Sequence, residues 1–435
     1  MLKTILSLSF VVASRFFGLF IILPVFGLYA STMEGSTVTL AGIAIGIYAL
    51  MQMIFQVPFG LLSDKIGRKN MMTVGLVIFI IGSLICGFTD NIYWMIFGRF
   101  LQGSGAVGSV AIAMISDFTK EESRGKAMAI MGMMIGASFG LSMVLSPLLS
   151  AKYGLGVLFH LSALVTLLCI VLLYTAVPKE VEIKSMQEKV PLKEILVNKD
   201  LNLMNLTNFL QKLLLTMTFF LIPIVLVKEL GFAEEKLWIV YSVAMVFGFV
   251  SMGFAGFVGE KKGLSKEMLL VGIGFFGLAY VSFALFGSVW LFIVGIMLFF
   301  IGFNMHEPIM QSVASKFAKS DQKGAVLGVF NAAGYFGSFL GGLFAGMMME
   351  KLGVHELAMM IVIVCLIWMF LLLGLSDPAR FRNIYLENVE IDLEKLRELE
   401  SRKGFVESYK KNETLVIKFD KDILSESEIR AGLGV

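Results

Sequence analysis

Twelve runs of roughly 20 mostly apolar residues recur along the chain, more than a soluble fold of this length buries. They lie at residues 5–30, 39–62, 71–88, 92–116, 126–149, 155–177, 201–227, 236–258, 267–286, 289–311, 324–349 and 354–375. Hydrocarbon offers no hydrogen-bond partners, so each run is expected as a helix that satisfies its own backbone. Composition agrees, with 57% hydrophobic and only 16% charged residues and a mean hydropathy of +0.84, outside the range of soluble domains. The run at 5–30 is too long for a signal core and has no small-residue cleavage pattern, so it is expected to stay as the first crossing. The fold class expected is therefore an all-α membrane protein of twelve transmembrane helices.

Charge sets the orientation. Lys3, Lys65, Arg68, Lys69, Lys120, Arg124, Lys126, Lys261, Lys316, Lys319 and Lys323 fall on one side of these crossings, whereas Lys152, Lys228, Lys236 and Lys351 fall on the other. The excess of Lys and Arg marks the cytoplasmic face, which places both termini inside. A net charge of +3 is too small and dispersed for nucleic acid. Cys86, Cys169 and Cys365 sit inside apolar runs without pairing or ligand spacing, so neither a disulfide framework nor a thiolate metal centre is expected. No nucleotide-binding loop, metal cluster or nucleophile arrangement points to an enzyme, and no cofactor is expected.

Between the second and third runs stands Gly60-Leu61-Leu62-Ser63-Asp64-Lys65-Ile66-Gly67-Arg68-Lys69. Gly60 and Gly67 permit a close turn, and Asp64 is one helical turn from Arg68. The pattern G-x-L-x-D-x-x-G-R-K resembles the signature loop of the major facilitator superfamily. That resemblance implies two six-helix bundles, transport by alternating access, and a latch in which Asp64 faces the positive end of a helix in the other half. The loop is echoed 196 positions later at Gly256 to Lys266, with Glu260 for Asp64 and Gly263 for Gly67. Arg68 has no basic match there. Bundles are expected over 1–177 and 201–376, joined by a connection at 178–200 that carries five lysines and a short amphipathic stretch at 191–198.

Ionisable groups inside a crossing are costly and are candidates for function. They are Arg15 in the first crossing, Arg99 in the fourth, Lys212 in the seventh, and His306 and Glu307 in the tenth, with Asp117 at the inner end of the fourth. Asn205, Asn208 and Lys212 have helical spacing, as do Asn304, Glu307 and Gln311. These two stripes are expected to wall a polar cavity. Gln52 and Gln56 either face the same cavity or bond between helices. The segment from Arg99 through Gln102, Gly103 and Gly105 to Ala106 resembles the superfamily pattern R-x-x-Q-G-x-G-A, whose Arg is associated with proton coupling. Close packing through Gly103 and Gly105 is the alternative reading of the same residues. The fifth crossing lacks the glycine pair after proline that is typical of proton-exchanging members.

From about Arg380 the chain turns charged and alternating. A separate β-α-β-β-α unit of ferredoxin-like type is expected over 381–435, with a helix cap at Ser425. It has no Cys, so a metal-carrying role is not expected. The stretches at Arg15 to Val25, Gly42 to Tyr48 and Gln56 to Asp64, with this terminal unit, are similar to bacterial inner-membrane members of the superfamily. The implied function is proton-coupled efflux of a small organic substrate by a monomer in the lipid bilayer. Proton-coupled uptake and a membrane sensor are the alternatives.

Overall fold

The computed structural model describes residues 2–119, 121–178, 192–319, 322–387, 393–411 and 414–433. The first half comprises α1 (Leu2–Phe20), α2 (Phe26–Ala30), α3 (Val38–Ile66), α4 (Arg68–Phe88), α5 (Ile92–Ser104), α6 (Gly108–Asp117), α7 (Glu121–Tyr153) and α8 (Gly156–Ala176). After α9 (Leu192–Val197), the second half comprises α10 (Lys199–Pro223), α11 (Leu237–Lys261), α12 (Ser265–Ala284), α13 (Val289–Phe317), α14 (Lys323–Lys351) and α15 (Val354–Leu373). Among the described residues, ten helices are long and apolar enough to cross a bilayer. The two remaining crossings expected from the sequence are interrupted. The first bends at residues 21–25, where Pro24 has no N–H to donate, and continues as α2. The fourth breaks at residues 105–107 between α5 and α6. Pro223 has a similar effect in the second half, where α10 passes into a π-helical turn, Ile224–Glu229.

The two halves repeat each other's packing. In the first, α1 lies against α7, α3 and α4 against α5, and α4 against α8; in the second, α10 lies against α14, α11 and α12 against α13, and α12 against α15. Glycines allow this because apolar surface gains nothing by leaving lipid, so close van der Waals contact must hold the helices. A Cβ on Gly337 or Gly341 would fall within about 2.2 Å of the Phe209 or Leu213 carbonyl of α10.

One face, the basic face, carries Lys65, Arg68, Lys69, Lys261, Lys316 and Lys319 at the ends of α3, α4, α11 and α13. At the opposite face the halves are closed on each other. Gly42 and Gly46 of α3 meet Gly342 and Gly346 of α14 backbone to backbone, and Gly27 of α2 abuts the Phe220 carbonyl of α10. Hydrogen bonds reinforce this seam. Tyr241 donates to the Pro24 carbonyl (2.9 Å), Tyr29 to Glu234 (2.7 Å), Ser150 to Glu234 (3.2 Å), and the Thr39 amide and hydroxyl to Glu350 (2.9 and 2.6 Å). Toward the basic face four glycines lack such neighbours. Gly132 and Gly136 of α7 and Gly324 and Gly328 of α14 have nothing within 4 Å of a Cβ position.

The terminal unit comprises β1 (Phe381–Glu387), α16 (Leu393–Glu400), β2 (Phe405–Lys411), β3 (Thr414–Asp420) and α17 (Glu426–Leu433). Its sheet is antiparallel in the order β1-β3-β2, the arrangement of the first strands of a ferredoxin-like unit. Ile384, Leu386, Ile417, Phe419, Leu424 and Ile429 form its own core. Ser425 and Glu428 cap α17 reciprocally: the Glu428 amide donates to the Ser425 hydroxyl (3.3 Å) and the Ser425 amide to the Glu428 carboxylate (2.7 Å). The other sheet face lies on the basic face of the helices. There Lys418 donates to the Ala318 carbonyl just past α13 (2.6 Å), and Phe381 meets Phe317 edge to face at 5.8 Å. Burial lowers the Lys418 pKa, an effect that Glu407 opposes. A cavity of about 240 Å³ opens beside this contact, lined by Asp200, Lys316, Lys319, Phe381 and Lys418 among others.

Candidate functional site

The signature loop is built around Gly67, whose φ of 94° suits glycine and turns α3 into α4. This orients Arg68 toward Asp64 (3.3 Å) and into an ion pair with Asp117 at the end of α6. The loop is thereby tied to the fourth crossing of its own half. Gly60 sits above Ser109 of α6. The Asp64 side chain is 54% exposed and has not reached the other half. In the echo, Glu260 accepts from Ser312 (2.5 Å) and Lys316 (3.1 Å) on α13. The missing basic match for Arg68 is thus explained by reversed polarity. In the second half the loop supplies the acid and the tenth crossing the base.

The interruption between α5 and α6 organises the polar centre of the first half. A break frees carbonyls that hydrocarbon cannot satisfy. Arg15 Nε donates to the Gly105 carbonyl (3.2 Å), and Gln52 Nε2 to the Gly103 carbonyl (2.5 Å). Gln52 therefore serves an interhelical bond, the second of the two readings its sequence allowed. Arg99 is fully buried. It donates to Gln102 (2.8 Å) and to the Ala44 carbonyl (3.4 Å), and Gln102 passes the chain on to Ser83 (2.7 Å). The Tyr48 ring lies between the guanidinium groups, 4.8 Å from Arg99 and 5.9 Å from Arg15. Tyr48 was not singled out in the sequence, where an aromatic residue in a crossing looks like packing.

In the second half, Lys212 of α10 pairs with Glu307 of α13 at 2.5 Å. Gln211 donates to the same carboxylate oxygen (3.2 Å), and Phe303 lies under the Lys212 ammonium at 4.9 Å. The pair is partly accessible, with side chains 27% and 34% exposed. Gln211 was missed; its place beside Lys212 was the available signal. The structure divides the expected stripes. Asn208 is buried and donates to the Phe330 carbonyl of α14 (2.7 Å). Asn304 donates to the Phe300 carbonyl of its own helix (2.9 Å) and packs on Gly248 of α11. His306 points away from Glu307. It is fully buried, with Nε2 2.8 Å from the Leu269 carbonyl and its ring edge-on to Phe276 and Trp368. Neighbours one residue apart lie about 100° apart around a helix, so an adjacent His and Glu cannot share a wall. No group of three or more His, Cys, Asp or Glu side chains suited to a metal ion occurs among the described residues.

Comparison with known proteins accords with this architecture. The family model described as Major Facilitator Superfamily matches residues 8–342 and 204–410. The inner membrane transport protein YajR of Escherichia coli (strain K12) is 35% identical over 345 residues, covering 78% of this chain and 76% of that protein. The class B tetracycline resistance protein of Escherichia coli is 27% identical over 321 residues, covering 69% of this chain and 77% of that protein. Among solved structures, that of a D-xylose-proton symporter superposes with a TM-score of 0.70 at 12% identity, over 87% of this chain and 98% of that one. A multi-pass body of two repeated halves, a signature loop braced to its own bundle and a match across nearly all of both halves lead to one conclusion: the chain belongs to the Major Facilitator Superfamily, whose members are transporters and not enzymes.

Proposed function

We propose that this protein is a proton-coupled exporter of small organic compounds that works by alternating access in the bacterial inner membrane, with both termini in the cytoplasm. The observation that carries the reading is the Lys212–Glu307 pair, partly open to water yet set within two crossings. The Glu307 carboxylate there accepts from both Lys212 and Gln211. Protonating it releases Lys212 and removes a charge from the interior, which links proton occupancy to the position of α10 against α13. The seam at the opposite face and the unpacked glycines toward the basic face support a state open to the cytoplasm. Similarity to a tetracycline resistance protein supports a small organic substrate. The bundles, on this reading, span 1–177 and 201–376, and the unit after about 381 modulates transport.

Glu307→Gln keeps size and hydrogen bonding but cannot titrate. In reconstituted vesicles it is expected to abolish gradient-driven accumulation while ligand binding stays measurable. Wild-type accumulation with unchanged pH dependence refutes the assignment. The direction of substrate movement under an imposed proton gradient separates export from uptake, and folded protein with no flux of any tested compound favours a sensor.

A further inference from the structure

At the closed face, Glu350 does more than join two surfaces. It lies in the last turn of α14, and its carboxylate accepts from both the amide (2.9 Å) and the hydroxyl (2.6 Å) of Thr39. Thr39 is in the first turn of α3, one residue after that helix begins. An acid of one half therefore sits on the positive end of a helix in the other half, where free N–H groups and the helix dipole favour negative charge. The first turn of α3 has no acid of its own, and neither has the first turn of α14.

The two helices run antiparallel. Val38 meets Gly346, Gly42 meets Gly342, and Gly46 meets Phe339. Continued along α3, this register sets Asp64 opposite the start of α14. The acid in the last turn of α3 thus stands to the N-terminus of α14 as Glu350 stands to the N-terminus of α3. Here only one of the two contacts is made. Asp64 is 54% exposed and paired with Arg68 in its own half, and Gly324 and Gly328 of α14 have nothing within 4 Å of a Cβ position.

We propose that Glu350 is the second latch of the transport cycle, reciprocal to Asp64, and that α3 and α14 exchange one acid-to-helix-terminus contact for the other as the halves rock. This rests on the alternating-access reading above. The two contacts stand at opposite ends of one rigid pair, so making one opens the other, and the pair becomes the bistable element that substrate and protons bias. Glu350 is a positioning residue; it touches no substrate.

The test measures electron spin-label distances across both mouths of the full chain, at Lys126 and Lys261 on the basic face and at Thr32 and Glu235 on the other. All four positions are exposed, and the three native cysteines are buried. Glu350→Gln is expected to raise the ratio of molecules open at the Thr32–Glu235 mouth by roughly threefold, and Thr39→Val to shift it the same way by less. Asp64→Asn is expected to move the distribution oppositely, and Glu350→Gln with Asp64→Asn together to return it near wild type. If Asp64→Asn shifts the distances while neither Glu350→Gln nor Thr39→Val does, the second latch is overturned and alternating access stands. If none of the variants shifts either mouth, both ideas fall.

Discussion

Arg99 and Glu307 are both charged groups in crossings, yet their surroundings differ. Arg99 has no exposed surface; its Nε and Nη1 donate to the Ala44 carbonyl and to Gln102, while Nη2 is buried without a partner. Removing it leaves buried acceptors and a freed pocket. Arg99→Ala is expected to destabilise the folded protein by about 3 kcal/mol, seen as a lower unfolding temperature in detergent. Glu307 is partly accessible and shares its load with Gln211 and Lys212, so Glu307→Gln should leave that temperature nearly unchanged while ending coupling. Equal thermal losses in the two variants would show that Glu307 serves structure alone.

At the scale of elements, the decisive contact is α3 on α14. Four glycines bring the two backbones together, and a Cβ on Gly342 would stand 2.5 Å from the Gly42 carbonyl. Such an approach has no flexible side chain that could move aside. Gly342→Ala is therefore expected to pry the closed face open without unfolding either bundle, because each bundle's internal packing uses other surfaces. Alkylation of a single cysteine introduced at Thr32 checks this, with faster modification expected in the variant. The interrupted crossings follow the same logic in reverse. A helix broken inside hydrocarbon persists only where its carbonyls find other donors, as Gly103 and Gly105 do in Gln52 and Arg15 of neighbouring helices.

For the whole molecule, the terminal unit has its own buried core and touches the helices mainly through Lys418 and Phe381. Ending the chain after Ser376 is expected to leave the bundles inserted and some gradient-driven flux intact, and the isolated unit should show folded circular dichroism. Complete loss of flux in correctly inserted protein would instead make the unit part of the transport machinery.

The run lengths, the paired loops and the positions of most helices were readable from residue order alone, because lipid acts on each segment locally and the cost of an exposed backbone depends on that segment only. The signature loop was readable for a similar reason, since Gly67, Arg68 and Asp64 act within one turn. The terminal strands and the Ser425 cap were visible through alternation and spacing. Other features were decided by contacts between residues distant in the chain. Helical spacing placed Asn304, His306 and Glu307 on one short segment, but the neighbours α11, α12 and α10 determined which of them reached water. The reversed polarity of Glu260 and Lys316, and the seat of Glu350 on α3, exist only because two helices from different halves or crossings meet at one register. Local hydropathy carries no information about that register; backbone approach at Gly42, Gly46, Gly342 and Gly346 sets it.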